Sequence, residues 1–339
     1  MKLVAPEHTS PQERYDYYEV PENTQHYIYG TRGNWKKISN NPVITDQYGV
    51  VFDISVMQEE GRFKMWLSWR TKRCIAYSES PDGIEWTPLV EVLSPVEGSD
   101  WEADELNRPT VIRVDGLYKM WYSGQMQPYL EPGHSCIGYA ESEDGIHWKR
   151  PIPRPVLVPG QAWERQALMC PHVMYDEQER LYKMWYSGGS NHEPDAIGYA
   201  TSKDGIQWKK HDGPILEKNP DCLWEQHKVC ACHVLKHKDY YYMFYVGHMH
   251  EERAHVGMAR SRDGITNWER HPQNPLISPE RQGWDSLSVY KPYVLRVGSR
   301  WVMWYNGALF DPKLWAVETI GIAYLEQDDF GFIGDCSKV

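Results

Sequence analysis

The sequence predicts an all-β fold, a five-bladed β-propeller built from four-stranded antiparallel blades. A segment of the Tyr-Lys-Met-Trp type recurs five times, at intervals of about 60 residues. A second short apolar run follows each copy, and four of these runs lead through an Asp-Gly pair to a tryptophan. No stretch between the copies has helical periodicity. The five copies are Phe63–Trp66, Tyr118–Trp121, Tyr182–Trp185, Tyr241–Phe244 and Trp301–Trp304.

Each repeat contains four short stretches, which we name strands A to D in chain order. Strand A precedes the Tyr-Lys-Met-Trp segment, strand B contains it, and strand C is the run after it. The Asp-Gly pair is typical of a hairpin connection and leads to strand D, the outer strand. The four pairs are Asp82-Gly83, Asp144-Gly145, Asp204-Gly205 and Asp263-Gly264.

The two ends of the repeat array complement each other. The fifth repeat reaches Ile320–Leu325 and then lacks an Asp-Gly-x-x-Trp segment, whereas Thr31–Lys37 resembles such a segment but precedes the first repeat. We expect this N-terminal strand to close the last blade, because closure removes an exposed sheet edge. Residues 1–339 are then a single domain. Its predicted parts are an N-terminal arm with the closing strand at 1–40 and blades at about 41–90, 91–153, 154–214, 215–276 and 277–339.

Composition restricts the partners and the compartment. The 36 basic and 47 acidic residues give a net charge of −11, which repels phosphate backbones and argues against nucleic acid. No apolar run reaches the roughly 18 residues of a membrane span, and no apolar stretch follows Lys2 as in a secretory signal. Seven cysteines without a Cys-x-x-Cys pair indicate reduced thiols. We therefore expect a cytoplasmic protein that binds neither nucleic acid nor membrane, and its oligomeric state stays open.

The repeats separate residues of the scaffold from residues of a site. A residue type that occurs at the same place in most blades is explained by packing, whereas one that occurs once is not. An acid follows a tryptophan shortly before strand A in four blades, so we interpret these acids as structural hydrogen-bond acceptors. The pairs are Trp101-Glu102, Trp163-Glu164, Trp224-Glu225 and Trp284-Asp285.

The blades differ at the start of strand A. The innermost strands surround the channel of a propeller, and side-chain alternation directs two residues of each strand start to the same side. One of these two positions holds Asp53, Arg108, Cys170, Ala231 and Lys291 in the five blades. The other holds Ser55, Thr110, His172, His233 and Tyr293. We expect these ten side chains to line the upper mouth of the channel.

Asp53 is the only carboxylate in its set of five, and it follows the apolar segment Val50–Phe52. Burial of an unpaired carboxylate is costly, so Asp53 must be paired or functional. One interpretation is an ion pair with Arg108 or Lys291 that closes the channel. The other, which we favour, is a general base or nucleophile that these cations keep ionised.

Two further acids, Asp104 and Glu105, precede strand A of blade two, where the other blades have no carboxylate. Either can act as a second catalytic carboxylate, with Glu105 as the first choice; the alternative is a pair of solvated loop acids. We expect the substrate to contact polar side chains around the mouth. These are Asn107, Arg108, His172, His192, His233, His248, Tyr290 and Lys291.

Histidines and aromatic residues on the connections leave alternatives open. His248 and His250 would share a strand face at a spacing found in metal sites, but one such pair does not predict a metal centre. Hydrogen bonding to a sugar and loop structure are the other interpretations. We expect that no cofactor is required, while a bound metal ion remains an alternative. Trp69 and Trp315 are expected to be exposed and to line a substrate cleft or a subunit contact.

The repeated motifs resemble those of the five-bladed propeller glycosidases, which include glycoside hydrolase families 43, 32, 68, 117 and 130. The resemblance covers nearly the whole chain and rests on the Tyr182–Gly188 and Ile197–Trp208 types of segment and on the Asn-Pro pairs at Asn41 and Asn274. It implies a base or nucleophile at the start of the inner strand of blade one, a place that Asp53 matches.

The resemblance also implies two acids that this sequence lacks at the matched positions. Such enzymes usually have an Asp in blade two and a proton-donating Glu at the start of strand A in blade three. The matched segments here are Asn107–Pro109 and Met169–Pro171, which contain no carboxylate. The acid must then come from Asp104, Glu105 or a histidine such as His192 or His248.

We therefore predict a glycoside hydrolase-like enzyme that cleaves a glycosidic bond of a small saccharide or glycoconjugate in the central pocket, with carboxylate acid/base chemistry. A non-catalytic carbohydrate-binding propeller is one alternative. A glycoside phosphorylase is another, with cations that neutralise phosphate. A metal-dependent enzyme that uses the pocket histidines is the third. The cations available for phosphate are Arg108, Lys228, Arg253 and Lys291.

Overall fold

A computed structural model of the chain describes residues 28–127, 135–189 and 194–332. Within these ranges the chain forms five antiparallel sheets, and consecutive strands are neighbours in each sheet except at the N-terminal strand, which pairs with the last one. Helical structure is limited there to short 3-10 turns at Asp46–Tyr48, Arg70–Lys72 and Leu223–Glu225. The fold is the predicted all-β five-bladed propeller. None of the described helices is long and apolar enough to cross a membrane.

The strands of each blade are numbered along the chain. Blade one contains β2 (Val51–Glu59), β3 (Arg62–Trp69), β4 (Cys74–Ser80) and β5 (Val90–Leu93). Blade two contains β6 (Glu105–Val114), β7 (Leu117–Gln125) and β8 (Ser135–Ser142). Blade three contains β9 (Ala167–Asp176), β10 (Leu181–Gly189), β11 (Ala196–Ser202) and β12 (Lys209–Lys210). The outer strand of blade two is reduced to a bridge between Glu141 and Lys149.

The last two blades complete the ring. Blade four contains β13 (Lys228–His237), β14 (Tyr240–His250), β15 (Arg253–Ser261) and β16 (Glu269–Arg270). Blade five contains β17 (Ser288–Val297), β18 (Arg300–Asp311) and β19 (Trp315–Leu325). The innermost strands contact one another in the cyclic order β2, β6, β9, β13, β17 and back to β2. Strand A of every blade therefore surrounds the central channel.

The closing strand of blade five comes from the N-terminal part of the chain, as predicted. It is β1 (Lys36–Lys37), which pairs antiparallel with β19 and places Lys37 opposite Ala323. The Lys37 ammonium donates to the Asp285 carboxylate and to the Ser278 carbonyl, each at 2.8 Å. Residues 1–27 of the predicted arm lie outside the described residues.

The repeated acids connect strands within each blade. In each of four blades, the buried acid accepts a hydrogen bond from a strand B tyrosine and pairs with a cation of the outer strand region. The cations are Arg150, Lys210, Arg270 and, from the closing strand, Lys37. The predicted structural role of Glu102, Glu164, Glu225 and Asp285 is confirmed.

The Asp-Gly pairs connect strands C and D, but as turns within longer loops rather than as two-residue hairpins. In blade one, Asp82 Oδ1 accepts the amides of Ile84 and Glu85 at 2.8 and 2.9 Å. The Ser80 hydroxyl accepts the amide of Gly83 at 2.8 Å. Side-chain acceptors therefore stabilise these loops, and outer-strand pairing begins several residues later.

Strand B tryptophans join each blade to the next one. The indoles of Trp66, Trp121 and Trp185 donate to the carbonyl oxygens of Gly145, Gly205 and Gly264 at 2.8–2.9 Å. Trp304 donates to Gly83 at 2.9 Å and so links blade five to blade one. Blade four has Phe244 at this position, which packs edge-on against Trp35 of the N-terminal segment. The hydrophobic core accordingly lies between neighbouring blades.

Candidate functional site at the channel mouth

The start of every inner strand is a β-bulge, so the predicted simple alternation along strand A is wrong. The register shifts once in each blade, and the bulged residue has a left-handed backbone with φ between 47° and 56°. Such bulges re-aim a side chain and are common beside binding sites. The five bulged residues are Asp53, Arg108, Cys170, Ala231 and Lys291.

The bulge is fixed by the preceding blade. The hydroxyls of Ser68, Ser123 and Ser187 accept the amides of Arg108, Cys170 and Ala231, and Asn306 Oδ1 accepts the amide of Asp53 at 3.0 Å. Ser55 and Thr110, which we expected at the mouth, instead accept amides of the next blade's inner strand. The ring geometry is therefore a property of the scaffold, while the side chains on the ring are specific to each blade.

Asp53 is buried and forms an ion pair with Arg108, as in the first of the two interpretations above, while its catalytic role stays a prediction. Its carboxylate oxygen Oδ2 lies 3.2 Å from Arg108 Nε, and both side chains are only 4% exposed. Arg108 also donates through Nη1 to Asn107 Oδ1 at 2.9 Å. Asn107 in turn donates to Gln125 Oε1 at 2.5 Å. This connected set orients the Asp53 carboxylate and compensates its charge in a low-dielectric site.

The two acids before strand A of blade two have different surroundings. Glu105 is 4% exposed, and its Oε1 lies 3.3 Å from Arg70 Nε. Asp104 is less buried, and its Oδ2 accepts the Gln127 amide at 2.6 Å. Neither acid is the freely solvated loop residue that we considered as the alternative.

Arg70 and Glu318 also belong to this cluster, and the sequence analysis missed both. Arg70 stacks on the Phe52 ring at 4.2 Å, and its Nη1 lies 3.9 Å from Glu318 Oε2. It thus bridges Glu105 of blade two and Glu318 of blade five. Glu318 is the only glutamate at its place in strand C, but Asp195 of blade three is also a carboxylate there, so comparison of the repeats does not single out Glu318. The other blades have Arg73, Ser135, Asp195 and Ala254 there.

Two of the predicted histidines lie deeper in the channel and pack on each other. The His172 and His233 rings are 4.5 Å apart, and His233 contacts the Tyr293 ring at 4.2 Å. His172 Nε2 donates to the Val234 carbonyl at 2.7 Å, and His233 Nδ1 accepts the Val294 amide at 3.3 Å. Burial lowers the pKa of His172 to about 3 and that of His233 well below its usual value. Both rings are therefore neutral near pH 7.

Lys291 stands beside this histidine pair. It is 3% exposed, and within the described part of the chain its ammonium forms neither a hydrogen bond nor an ion pair. Its positive charge contributes, after burial, to the low pKa of His172 and of His233. A buried cation with this environment favours a negatively charged or strongly polar ligand.

The remaining predicted contacts are spread over the upper face. Tyr290 faces Glu318 and Asp53; burial, and then those two charges, raise its pKa well above the usual value. His248 lies 3.7 Å from Cys230 Sγ at the edge of blade four. His192 lies outside the described residues. Trp69 is buried and donates to the Tyr48 carbonyl at 2.8 Å, so its predicted exposure is wrong, whereas Trp315 is 41% exposed.

The described histidines do not form a metal centre. A register irregularity separates His248 from His250, so the two do not follow a regular strand alternation. Burial, followed by the charge of Arg253, lowers the pKa of His250 to about 3. Across residues 28–127, 135–189 and 194–332, no group of three or more His, Cys, Asp and Glu side chains is placed to hold a metal ion.

Comparisons with known proteins agree with this architecture. The 1,2-beta-oligomannan phosphorylase of Thermoanaerobacter sp. (strain X514) is 28% identical over 203 residues, which are 58% of this chain and 62% of that protein. The match therefore spans less than two thirds of this relative. An uncharacterized protein of Mycobacterium tuberculosis is 26% identical over 226 residues, or 65% of this chain and 73% of that protein.

Solved structures share the fold at lower identity. A thermostable family-43 glycoside hydrolase superimposes with a TM-score of 0.65 at 20% identity and covers 83% of this chain and 91% of its own. The beta-1,2-mannobiose phosphorylase of Listeria innocua gives a TM-score of 0.66 at 14% identity, with 86% and 97% covered. The family model for glycosyl hydrolases family 43 matches residues 39–309, which contain all five inner strands. The chain belongs to glycosyl hydrolases family 43.

Proposed function

We propose that the protein cleaves a glycosidic bond of a small saccharide or glycoconjugate bound at the upper mouth of the channel. One observation carries this proposal above the others. Asp53 is the only carboxylate among the five bulged residues, and it is buried and oriented by Arg108. The backbone geometry of the bulge does not itself require a carboxylate, because it also accepts Cys170 and Ala231 in other blades.

Asp53 would activate water as a general base or attack the anomeric carbon itself. Glu105 or Asp104 would protonate the leaving oxygen. A Glu105 that donates a proton must first be protonated, which removes the negative charge that faces Arg70. Glu318, on the other side of Arg70, is a further acid within the same cluster. A separation of about 5–5.5 Å between the working carboxyl groups leads to retention, and roughly 6.5–9.5 Å leads to inversion.

Phosphorolysis is the second candidate, and Lys291 favours it. In this reaction a phosphate oxygen replaces water in the attack on the anomeric carbon, the glycosidic bond breaks, and the products are a sugar 1-phosphate and the shortened saccharide. Lys291 and Arg108 supply buried positive charge at the ring. Two relatives are named as phosphorylases, and both names specify 1,2-linked mannosides as the substrates of those proteins. Such mannosides are therefore the first substrates to test here.

The deciding experiment incubates the protein with β-1,2-mannobiose and a panel of other disaccharides, with and without inorganic phosphate. Monosaccharide formed in phosphate-free buffer indicates hydrolysis, and a sugar 1-phosphate formed only with phosphate indicates phosphorolysis. Tight binding without any product would replace both candidates with a carbohydrate-binding propeller. We propose that neither reaction requires a metal, so EDTA should leave the rate unchanged. We also propose a cytoplasmic location, which six free cysteines in the described ranges support.

A further inference from the structure

Asn306 of strand β18 belongs to a set of equivalent residues, one from each blade. Each member pairs across the sheet with the residue that precedes the bulge of its own blade. The other members are Ser68, Ser123, Ser187 and Val246. The three serines accept the bulge amide of the next blade, and Asn306 does the same for Asp53. The only amide side chain of this set therefore holds the only bulge that carries a carboxylate.

A serine would be enough to fix this bulge. Asn306 Oδ1 accepts the Asp53 amide at 3.0 Å, and the Asn306 side chain is completely buried. Its second polar atom, Nδ2, is a donor that has no hydrogen-bond partner among the described residues. A buried donor without a partner costs stability, and serine avoids this cost in three blades. Fixing the bulge therefore does not by itself require the amide.

The Nδ2 donor of Asn306 belongs to the surroundings of Asp53. Nδ2 and Oδ1 are part of one planar carboxamide, so the bond from the Asp53 amide to Oδ1 also fixes the place of Nδ2. Asn306 pairs across the sheet with Tyr290, whose side chain faces Asp53. From the other neighbouring blade, Arg108 places Nε 3.2 Å from Asp53 Oδ2. Asp53 is therefore contacted by blade two through a cation and by blade five through a neutral amide.

The neutral amide and the cation respond differently to a ligand. Arg108 is charged, so a phosphate or a sugar hydroxyl can compete with Asp53 for its guanidinium. A neutral donor attracts such groups less strongly, and a hydrogen bond to the charged form of a carboxyl favours that form. Hydrogen bonds in ligand-free sites are often long and tighten when the ligand binds. An amide beside Asp53 can therefore keep the carboxylate ionised while Arg108 contacts the ligand.

We propose that Asn306 is a positioning residue for Asp53. Its Oδ1 fixes the main chain of the bulge, and its Nδ2 stabilises the charged form of the Asp53 carboxylate. This inference rests on the proposed function for the role of Asp53 in the reaction. It deepens that function, because it assigns to blade five a residue that affects the chemistry only through Asp53.

A double-mutant cycle tests the proposal without turnover. Asn306→Ser keeps an acceptor for the Asp53 amide and removes the donor. Asp53→Ala removes the carboxylate and places an alanine on a bulge of the kind that holds Ala231 in blade four. In urea denaturation at pH 7, Asn306→Ser should raise the unfolding equilibrium constant about fivefold more in the wild-type background than in Asp53→Ala. Equal effects in the two backgrounds would overturn the proposal.

Turnover provides a second readout on any disaccharide that the wild type cleaves. Asn306→Ser should lower kcat about tenfold, leave KM within about threefold and move the acidic limb of the kcat profile upward by about one pH unit. Asn306→Ala removes both polar atoms and should also lower the stability. Ser187→Ala is the matched control, because it removes the same kind of acceptor from the bulge at Ala231 and should leave kcat and its pH profile unchanged.

A purely structural role of Asn306 predicts a different pattern. Serine at this position would then restore the stability, the rate and the pH profile together relative to Asn306→Ala, and this result would also overturn the proposal. Failure of the proposed function is distinguishable. In that case the wild type releases every saccharide intact, while the coupling between Asn306 and Asp53 in the denaturation cycle remains.

Discussion

Asp53 combines a backbone conformation shared by all blades with a side chain found in only one. A non-glycine residue in the left-handed region costs roughly 1–2 kcal/mol, and the ring contains five of them. The hydrogen bonds from Ser68, Ser123, Ser187 and Asn306 to four of these amides offset that cost. Because contacts from outside the ring fix the backbone, the side chain at each bulge can differ between blades and can contact a ligand.

Glu59 provides a pH-dependent test at the scale of one residue. Burial alone raises its pKa, but hydrogen bonds from Lys64, Tyr118 and Arg113 outweigh this effect and lower the pKa to about 2. A carboxyl whose pKa is lowered in the folded state stabilises the fold above its unfolded pKa and loses that contribution as pH falls. We therefore expect the difference in unfolding free energy between wild type and Glu59→Gln to be constant above about pH 4.5 and to shrink toward pH 2.

Urea denaturation of both proteins between pH 7 and pH 2 measures this difference. Glu60→Gln is the control, since Glu60 is exposed next to Glu59 and should change stability little at any pH. A difference between wild type and Glu59→Gln that does not depend on pH would contradict the assigned contacts.

The sequence predicted Asp53, Asn107 and Arg108 as a group at the mouth, because comparison of the repeats exposes residues that occur once. It did not predict Arg70, since an arginine on a 3-10 turn has no pattern that indicates its stacking on Phe52. The contacts of long, flexible side chains cannot be predicted from sequence, because several partners lie within their reach.

At the scale of the secondary-structure element, strand B of each blade is matched to the neighbouring blade. Each strand B tryptophan fills the space against the next blade and donates to the glycine of that blade's Asp-Gly turn. Phe244 occurs where the next blade has no such turn. Strand B of each blade thus matches the turn of the next blade, which explains why blade four has a phenylalanine in place of the tryptophan.

Trp304→Phe tests this match where blade five meets blade one. The substitution removes the hydrogen bond to the Gly83 carbonyl and part of a fully buried ring. We expect a loss of about 2 kcal/mol in unfolding free energy. Guanidinium denaturation measures it, with the exposed Trp315→Phe as the control that should change stability by less than about 0.5 kcal/mol. Equal effects of the two substitutions would refute the role of the indole bond.

The alternation rule failed along strand A for a physical reason. The side-chain period of two holds only while the two paired strands keep their register. A bulge adds one residue to one strand and so shifts that register. Glycine commonly marks a bulge, but here the left-handed positions hold Asp53, Arg108, Cys170, Ala231 and Lys291, so composition gives no indication. The five residues predicted at the first ring position are nevertheless the five bulged residues, because every blade contains the bulge at the same place.

At the scale of the whole molecule, closure of the ring depends on a two-residue strand. The fold was predictable from sequence because five repeats, one of them incomplete, require a strand from elsewhere to close the array. The pocket of about 460 Å³ between blades four and five was not predictable, because its lining residues, such as His248 and Trp315, lie far apart in the chain.

Lys37→Met tests the closure. Lys37 neutralises the buried Asp285 from the closing strand and also contacts Glu280 at 2.9 Å. Removal of one partner from a largely buried ion pair leaves a charge uncompensated, so we expect a loss of about 3 kcal/mol in unfolding free energy. Thermal and denaturant unfolding measure it. The neighbouring Lys36 is exposed, and Lys36→Met should be nearly neutral; comparable losses in both variants would contradict a specific role for Lys37.

The most direct measurement is the turnover of Asp53→Asn compared with its binding of the same substrate. Asparagine tolerates the left-handed backbone at this position and preserves an oxygen for Arg108, so the variant should fold and bind, although the uncompensated Arg108 charge lowers its stability. We predict a loss of about a thousandfold in kcat with the dissociation constant unchanged within about threefold. A variant that turns over substrate at a rate close to wild type would contradict the assignment of Asp53 to the chemistry.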